Sequence, residues 1–174
     1  MKHVLSVLVQ NQPGVLVRVT SMFSRRGFNI DSLAVGVTHV PEYSRITAVI
    51  CGNQAVVNQV VKQLEKLVEV VNVQILEASA SVSRGMAMLK VTAGERRGEI
   101  LKLAEIFRAS VVDISENTLT LEVTGDEDKI NALVELLIPY GMLEMTRTGL
   151  IGLARGENTI YQYEERENYE ENVL

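Results

Sequence analysis

The chain has 174 residues, 47% hydrophobic and 22% charged, with a mean hydropathy of +0.13, which excludes disordered and fibrous classes and allows one large or two small globular domains. Its formal charge of −5 lies wholly in residues 157–174, where six Glu face one Arg, so residues 1–156 are neutral and lack the basic stripe that a nucleic-acid backbone requires. No apolar run approaches the ~18 residues of a membrane span and MKHVLSVLVQ is no signal peptide, so the expectations are a cytoplasmic protein with no membrane partner; one cysteine, Cys51, beside two histidines excludes an internal disulfide and a Cys/His metal cluster.

In chain order, His3 to Gln10 has the Val/Leu-rich pattern of a strand, broken at Asn11-Gln12-Pro13-Gly14, which signals a turn and a helix start together. Leu16, Val19, Met22 and Phe23 then recur at helical spacing, and Gly27 after Arg25-Arg26 stops the helix with cations at its negative end. Two β segments, Phe28 to Val40 and Ser44 to Cys51, flank Pro41-Glu42-Tyr43 as a hairpin. Asn53 caps a second helix striped by Val56, Val57, Val60, Val61, Leu64 and Leu67, and Val70 to Leu76 closes the half as a strand. Residues 1–77 therefore read βαββαβ.

Residues 78–83, all Ala, Ser or Val, read as a linker, and 84–156 repeat the same grammar without repeating the sequence. Met86 to Thr92 is a strand, and Glu95 to Arg108 a helix with Ile100, Leu103, Ala104 and Phe107 on one face. Val111 to Ser115 and Leu119 to Thr124 form a hairpin around Glu116-Asn117. Asp126 caps a helix whose Ile130, Leu133, Val134, Leu137 and Ile138 share a face, stopped by Pro139 and Gly141, and a last strand covers Met142 to Leu150. The expected class is α+β: two ferredoxin-like domains, each a four-stranded antiparallel sheet with helices on one face. Sheets covered on one face, with aliphatic edges, predict pairing with a second copy or a partner. Residues 157–174 read as a flexible acidic tail.

Catalytic chemistry is scarce. Cys51 ends an aliphatic strand and reads as a small buried thiol without a base; His3 and His39 lie on different strands; Glu164, Glu165 and Glu167 sit in the tail, away from any cleft. No phosphate-cradling glycine motif is present. The βαββαβ order is shared with RNA-recognition modules, but the two central strands, VLSVLVQ and RITAVIC, lack the aromatics on which bases stack. Two breaks carry more information. A helix starting after Gly14 presents amides without intrahelical partners, suited to a carboxylate, although a plain turn explains Asn-Gln-Pro-Gly equally well. In Arg26-Gly27-Phe28-Asn29-Ile30-Asp31 an Asn amide stands at a strand start, where it could face a ligand or a second subunit.

Together, LSVLVQNQPGVLVRVTSMFSRRGFNIDSLAVGVT, SRITAVICG and QLEKLVEVV resemble the ACT domain of the regulatory small subunits of acetolactate synthase, and EIFRASVVDIS, TLEVTG and RTGLIGLARG resemble their C-terminal domain. The resemblance implies a non-catalytic chain that activates a large catalytic subunit and confers feedback inhibition by a branched-chain amino acid, usually valine. Thiamine diphosphate, magnesium and FAD are then expected on the large subunit and none on this chain. It also implies a homodimer through ACT domains paired side by side, with the amides of Gly14, Val15 and Leu16 holding the valine carboxylate, Asn11 orienting the ligand, and Asn29 with Ile30 coming from the partner chain. A stand-alone amino-acid sensor controlling another enzyme or transcription is the alternative, against which the second half and the absence of a DNA-binding element both count. The Glu-rich tail departs from the family pattern.

Overall fold

The computed structural model describes residues 1–161. These form two compact units, Met1–Val82 with the segment from Leu150 onward, and Ser83–Gly149. The second compact unit thus lies between Val82 and Leu150 in the chain, and the segment from Leu150 groups with the first unit.

The first unit is β1 (Lys2–Gln10), α1 (Val15–Arg25), β2 (Ile30–Val37), β3 (Tyr43–Cys51), α2 (Gln54–Leu64) and β4 (Val70–Leu76), with antiparallel sheet order β2-β3-β1-β4. Leu5, Val7 and Val9 of β1 and Ile46 and Ile50 of β3 meet Val15, Val19, Met22 and Phe23 of α1 and Val57, Val60 and Leu64 of α2 in one core. At about 1.5–3 kcal/mol per buried aliphatic or aromatic side chain, this layer dominates the unit's stability. Each helix is bounded by the predicted residues. Gly27 at φ 69° ends α1, with Gly27 N–H donating to Ser24 O and Phe28 N–H to Phe23 O, while the rings of Phe23 and Phe28 pack edge to face at 6.5 Å. Asn53 caps α2 through Val56 N–H at 3.0 Å. Phe28, read as the first residue of a strand, belongs instead to this helix stop.

The second unit holds most of β5 (Ser81–Thr92), then α3 (Arg97–Ile106), β6 (Ser110–Ile114), β7 (Thr118–Gly125), α4 (Glu127–Leu137) and β8 (Met142–Arg147), in the matching order β6-β7-β5-β8. Leu89, Val91, Leu119, Leu121, Ile100, Leu133 and Leu137 centre a core of its own. Asp126 caps α4 through Lys129 N–H at 2.9 Å. The two units share even their irregularities: β2 bulges against β3 between Ile30 and Ser32, and β6 against β7 between Val111 and Asp113.

Three expectations need correction. The supposed linker 78–83 is a turn at 78–80, closed by Ala80 N–H to Glu77 O, and strand β5 from Ser81 on. The last strand breaks after Arg147, and a ninth strand, β9 (Ile151–Ala154), pairs with β5. Nor does the tail fray at residue 157: Ile160 is 2% exposed and Tyr161 stacks edge-on to His39 at 5.5 Å. Residues 162–174 of the expected tail lie outside the described residues.

The segment from Leu150 to Tyr161 also changes how the first sheet is covered. Residues alternate across a strand, so Val4, Ser6 and Leu8, with Arg45, Thr47 and Val49, face away from the helices. Asn72, Gln74, Leu76 and Ser32 follow by register. Ser6, Leu8, Thr47, Val49 and Leu76 are nevertheless buried. Leu150 N–H donates to Ser32 Oγ (3.1 Å) and Asn72 Nδ2 to Ile160 O (2.6 Å), so the segment is tied to this face at both sheet edges. The sheet of the first unit is covered on two faces, not one.

Candidate effector site

The turn after β1 presents backbone donors. Gly14 sits at φ 86° as the N-cap of α1 with no side-chain cap, a conformation that favours glycine. Val15 N–H makes a long turn bond to Gln12 O (3.4 Å), and Arg18 N–H donates to Gly14 O. Among the described residues no acceptor meets the amides of Gly14, Leu16 or Val17. The free donors are therefore Gly14, Leu16 and Val17, whereas the family resemblance implied Gly14, Val15 and Leu16. Leu16 is 40% and Val17 65% exposed, so apolar surface flanks these donors. Arg18, one turn on, is paired with Glu69, whose carbonyl accepts Gln10 N–H.

Asn11 is largely committed to the protein. Its Nδ2 donates to Pro41 O (2.9 Å), its Oδ1 accepts from Ser44 Oγ (3.0 Å), and its backbone amide donates to Glu42 O. It holds the turn after β1, and with it the loop around Gly14, against the β2–β3 hairpin.

Asn29 and Ile30 stand at the other end of the sheet. Ile30 pairs with Ile50, which pairs with His3, whereas Gln10 pairs with Tyr43 and Val37 with Ser44. Along β1, His3 and Gln10 are separated by about 23 Å at ~3.3 Å per residue. One chain therefore cannot bring the two breaks together. Asn29 is exposed, and its Nδ2 donates to Asp31 Oδ1 (3.1 Å), so that its Oδ1 is not engaged by this bond. The same Asp31 carboxylate accepts from Cys51 Sγ (3.2 Å) and lies 3.7 Å from Lys2 Nζ. Cys51 is exposed, not buried as its aliphatic strand suggested, because it terminates β3 beyond the core. The hydrogen bond to Asp31 pushes its thiol pKa up, so it is a weak nucleophile.

Among the described residues β2 is an edge strand, and it carries exposed Val35 and Val37. Two β2 edges laid antiparallel about a two-fold axis would set the start of one against the end of the other, which is the end beside Asn11 and Gly14. Elsewhere, among the described residues, no group of three His, Cys, Asp or Glu could hold a metal, and no helix is long and apolar enough to cross a membrane.

Residues 84–156 match the family described as small subunit of acetolactate synthase, and residues 5–72 match the small-subunit-like ACT domain of the same enzyme. A probable acetolactate synthase small subunit from Archaeoglobus fulgidus is 50% identical over 90% of this chain and 98% of its own length. The acetolactate synthase small subunit of Mycolicibacterium smegmatis is 46% identical over 91% of this chain and 94% of its own. The crystal structure of the Thermotoga maritima small subunit superposes with a TM-score of 0.86 at 38% identity, covering 91% of this chain and 99% of that one.

The chain belongs to the acetolactate synthase small-subunit family. Small subunits of this synthase are regulatory chains and not the catalytic ones, and membership implies a catalytic large-subunit partner. The segment RTGLIGLARG, which falls within the match over residues 84–156, is the stretch that turns back onto the ACT sheet. Sequence reasoning missed Val17, whose amide needs no particular side chain, and the partners Ser32, Asn72 and Ile160. The one available signal was the apolar pair Ile160-Tyr161 inside a polar tail.

Proposed function

We propose that this chain binds valine between two ACT domains and, through that site, inhibits the acetolactate synthase large subunit that it otherwise activates. The observation that carries the reading is the row of unpartnered amides at Gly14, Leu16 and Val17, facing apolar surface at the sheet end that a second copy's β2 start would reach. The valine carboxylate accepts from these amides, favoured by the positive end of α1. Asn29 Oδ1 of the partner subunit accepts from the ammonium, and Leu16 with Ile30 of the partner subunit encloses the isopropyl group. Charge-assisted hydrogen bonds contribute about 1.5–3 kcal/mol each, and burying the isopropyl group adds about 1.5–3 kcal/mol. Both are sufficient for the ~1–3 kcal/mol by which an effector commonly couples to a distant site.

Because two chains build each pocket, valine reports on dimer geometry, which is what a regulatory subunit must transmit. Thiamine diphosphate, magnesium and FAD belong in this reading to the large subunit.

Isothermal titration of the full chain with valine, alone and reconstituted with a large subunit, tests the reading. Saturable binding together with valine inhibition of the reconstituted synthase is expected. Full activation with no valine binding in either form would contradict it.

A further inference from the structure

We propose that the segment Leu150–Tyr161 is a regulatory strap that holds the effector strand β2 at both ends and is tightened when the effector binds. The inference rests on the effector reading above and names the part of the chain that responds to it. At the start of β2, Leu150 N–H donates to Ser32 Oγ at 3.1 Å. Just beyond its end, the Tyr161 ring packs on His39 at 5.5 Å. Between these points the strap crosses the sheet to its far edge, where Asn72 Nδ2 donates to Ile160 O at 2.6 Å, and Ile160 is buried on the face that also buries Leu8, Val49 and Leu76. Arg155 ties the strap to the β4–β5 turn through its amide to Ala80 O (2.8 Å) and its Nε to Ser81 O (3.0 Å). Arg45, half-buried on the same face, donates to Ser6 Oγ; burial lowers its pKa and the nearby Tyr161 opposes that.

The clamped strand can respond. Among the described residues β2 is an edge strand with one hydrogen-bonded neighbour, and its register against β3 slips between Ile30 and Ser32. That irregularity falls between the effector residues Asn29 and Ile30 and the first strap contact at Ser32. Bulged edge strands are where a sheet yields most readily. Fixing Asn29 and Ile30 against a ligand orders Ser32, and with it the Leu150 end of the strap.

Hydrogen–deuterium exchange of the full chain, alone and reconstituted with a large subunit, with and without saturating valine, tests this beside calorimetric titration. The expected result is that valine slows exchange across residues 151–160 by about threefold or more. In Ser32→Ala valine still binds but that slowing is lost, and Tyr161→Ala, which releases the other end, gives the same loss. If valine binds and protects residues 12–17 and 29–30 while 151–160 exchange unchanged, the strap is a static cover and the inference is overturned. If valine binds in neither form, the effector reading fails first and the inference falls with it.

Discussion

At Gly14 the backbone lies at φ 86°, and a Cβ added there would meet nothing within 4 Å. A substitution is therefore resisted by conformation and not by space, at about 1–2 kcal/mol for an L-residue, least for Asp and Asn. Gly14→Asp should fold, dimerise and activate a large subunit, yet abolish valine inhibition, because its carboxylate takes the free amides and repels that of the ligand. Valine titration of the reconstituted synthase checks this, and inhibition unchanged from the parent would refute the assignment. Gly14→Ala, with at least as much backbone strain but no charge, should leave most of the inhibition. Asp31 supplies a second test. Its hydrogen bond raises the pKa of the Cys51 thiol, so Asp31→Ala should accelerate alkylation of Cys51 by iodoacetamide near neutral pH about threefold or more. An unchanged rate would mean that the thiol is governed by something other than this hydrogen bond.

Two helix ends show how one piece of backbone is served by different residues. α1 ends with Phe28 N–H to Phe23 O across Gly27 at φ 69°; α3 ends with Ala109 N–H to Ala104 O across Arg108 at φ 51°. Arg108 is the one described non-glycine residue at positive φ. Arg108→Gly should therefore stabilise the protein by about 1 kcal/mol, read as a higher urea midpoint with an unchanged slope. A lower midpoint would mean that the arginine side chain outweighs its backbone strain. The opposite sign is expected at the caps: Asn53→Ala and Asp126→Ala each remove an observed side-chain acceptor and should cost about 1 kcal/mol. These elements could be read from sequence because their signals are local: apolar residues at a 3.6-residue period, Asn or Asp one turn before the stripe, Gly after it. Cys51 could not. Its burial depends on where the core ends, which periodicity along one strand does not reveal.

At the scale of the whole molecule, what sequence reasoning found and missed divides by contact distance along the chain. The breaks at Asn11–Gly14 and Arg26–Asp31 announce themselves through Pro and Gly, and both fall where a second copy could join them. The hydrogen bonds of the Asn11 side chain were not readable, because their partners Pro41 and Ser44 lie some thirty residues away. The strap was hidden for the same reason: Leu150 finds Ser32 and Ile160 finds Asn72 across separations of 118 and 88 residues. A Glu-rich composition also pointed to solvent at the very place where Ile160 is buried.

In the proposed effector site each pocket is shared between two copies. The decisive measurement is the valine stoichiometry of a purified mixed dimer, one chain carrying Gly14→Asp and the other Asn29→His. In a shared site both lesions fall in the same pocket, which leaves one intact pocket binding one valine per dimer with near-parental affinity. A mixed dimer that binds no valine, while each parent chain paired with itself behaves as expected, would place both breaks in one chain's pocket and contradict it.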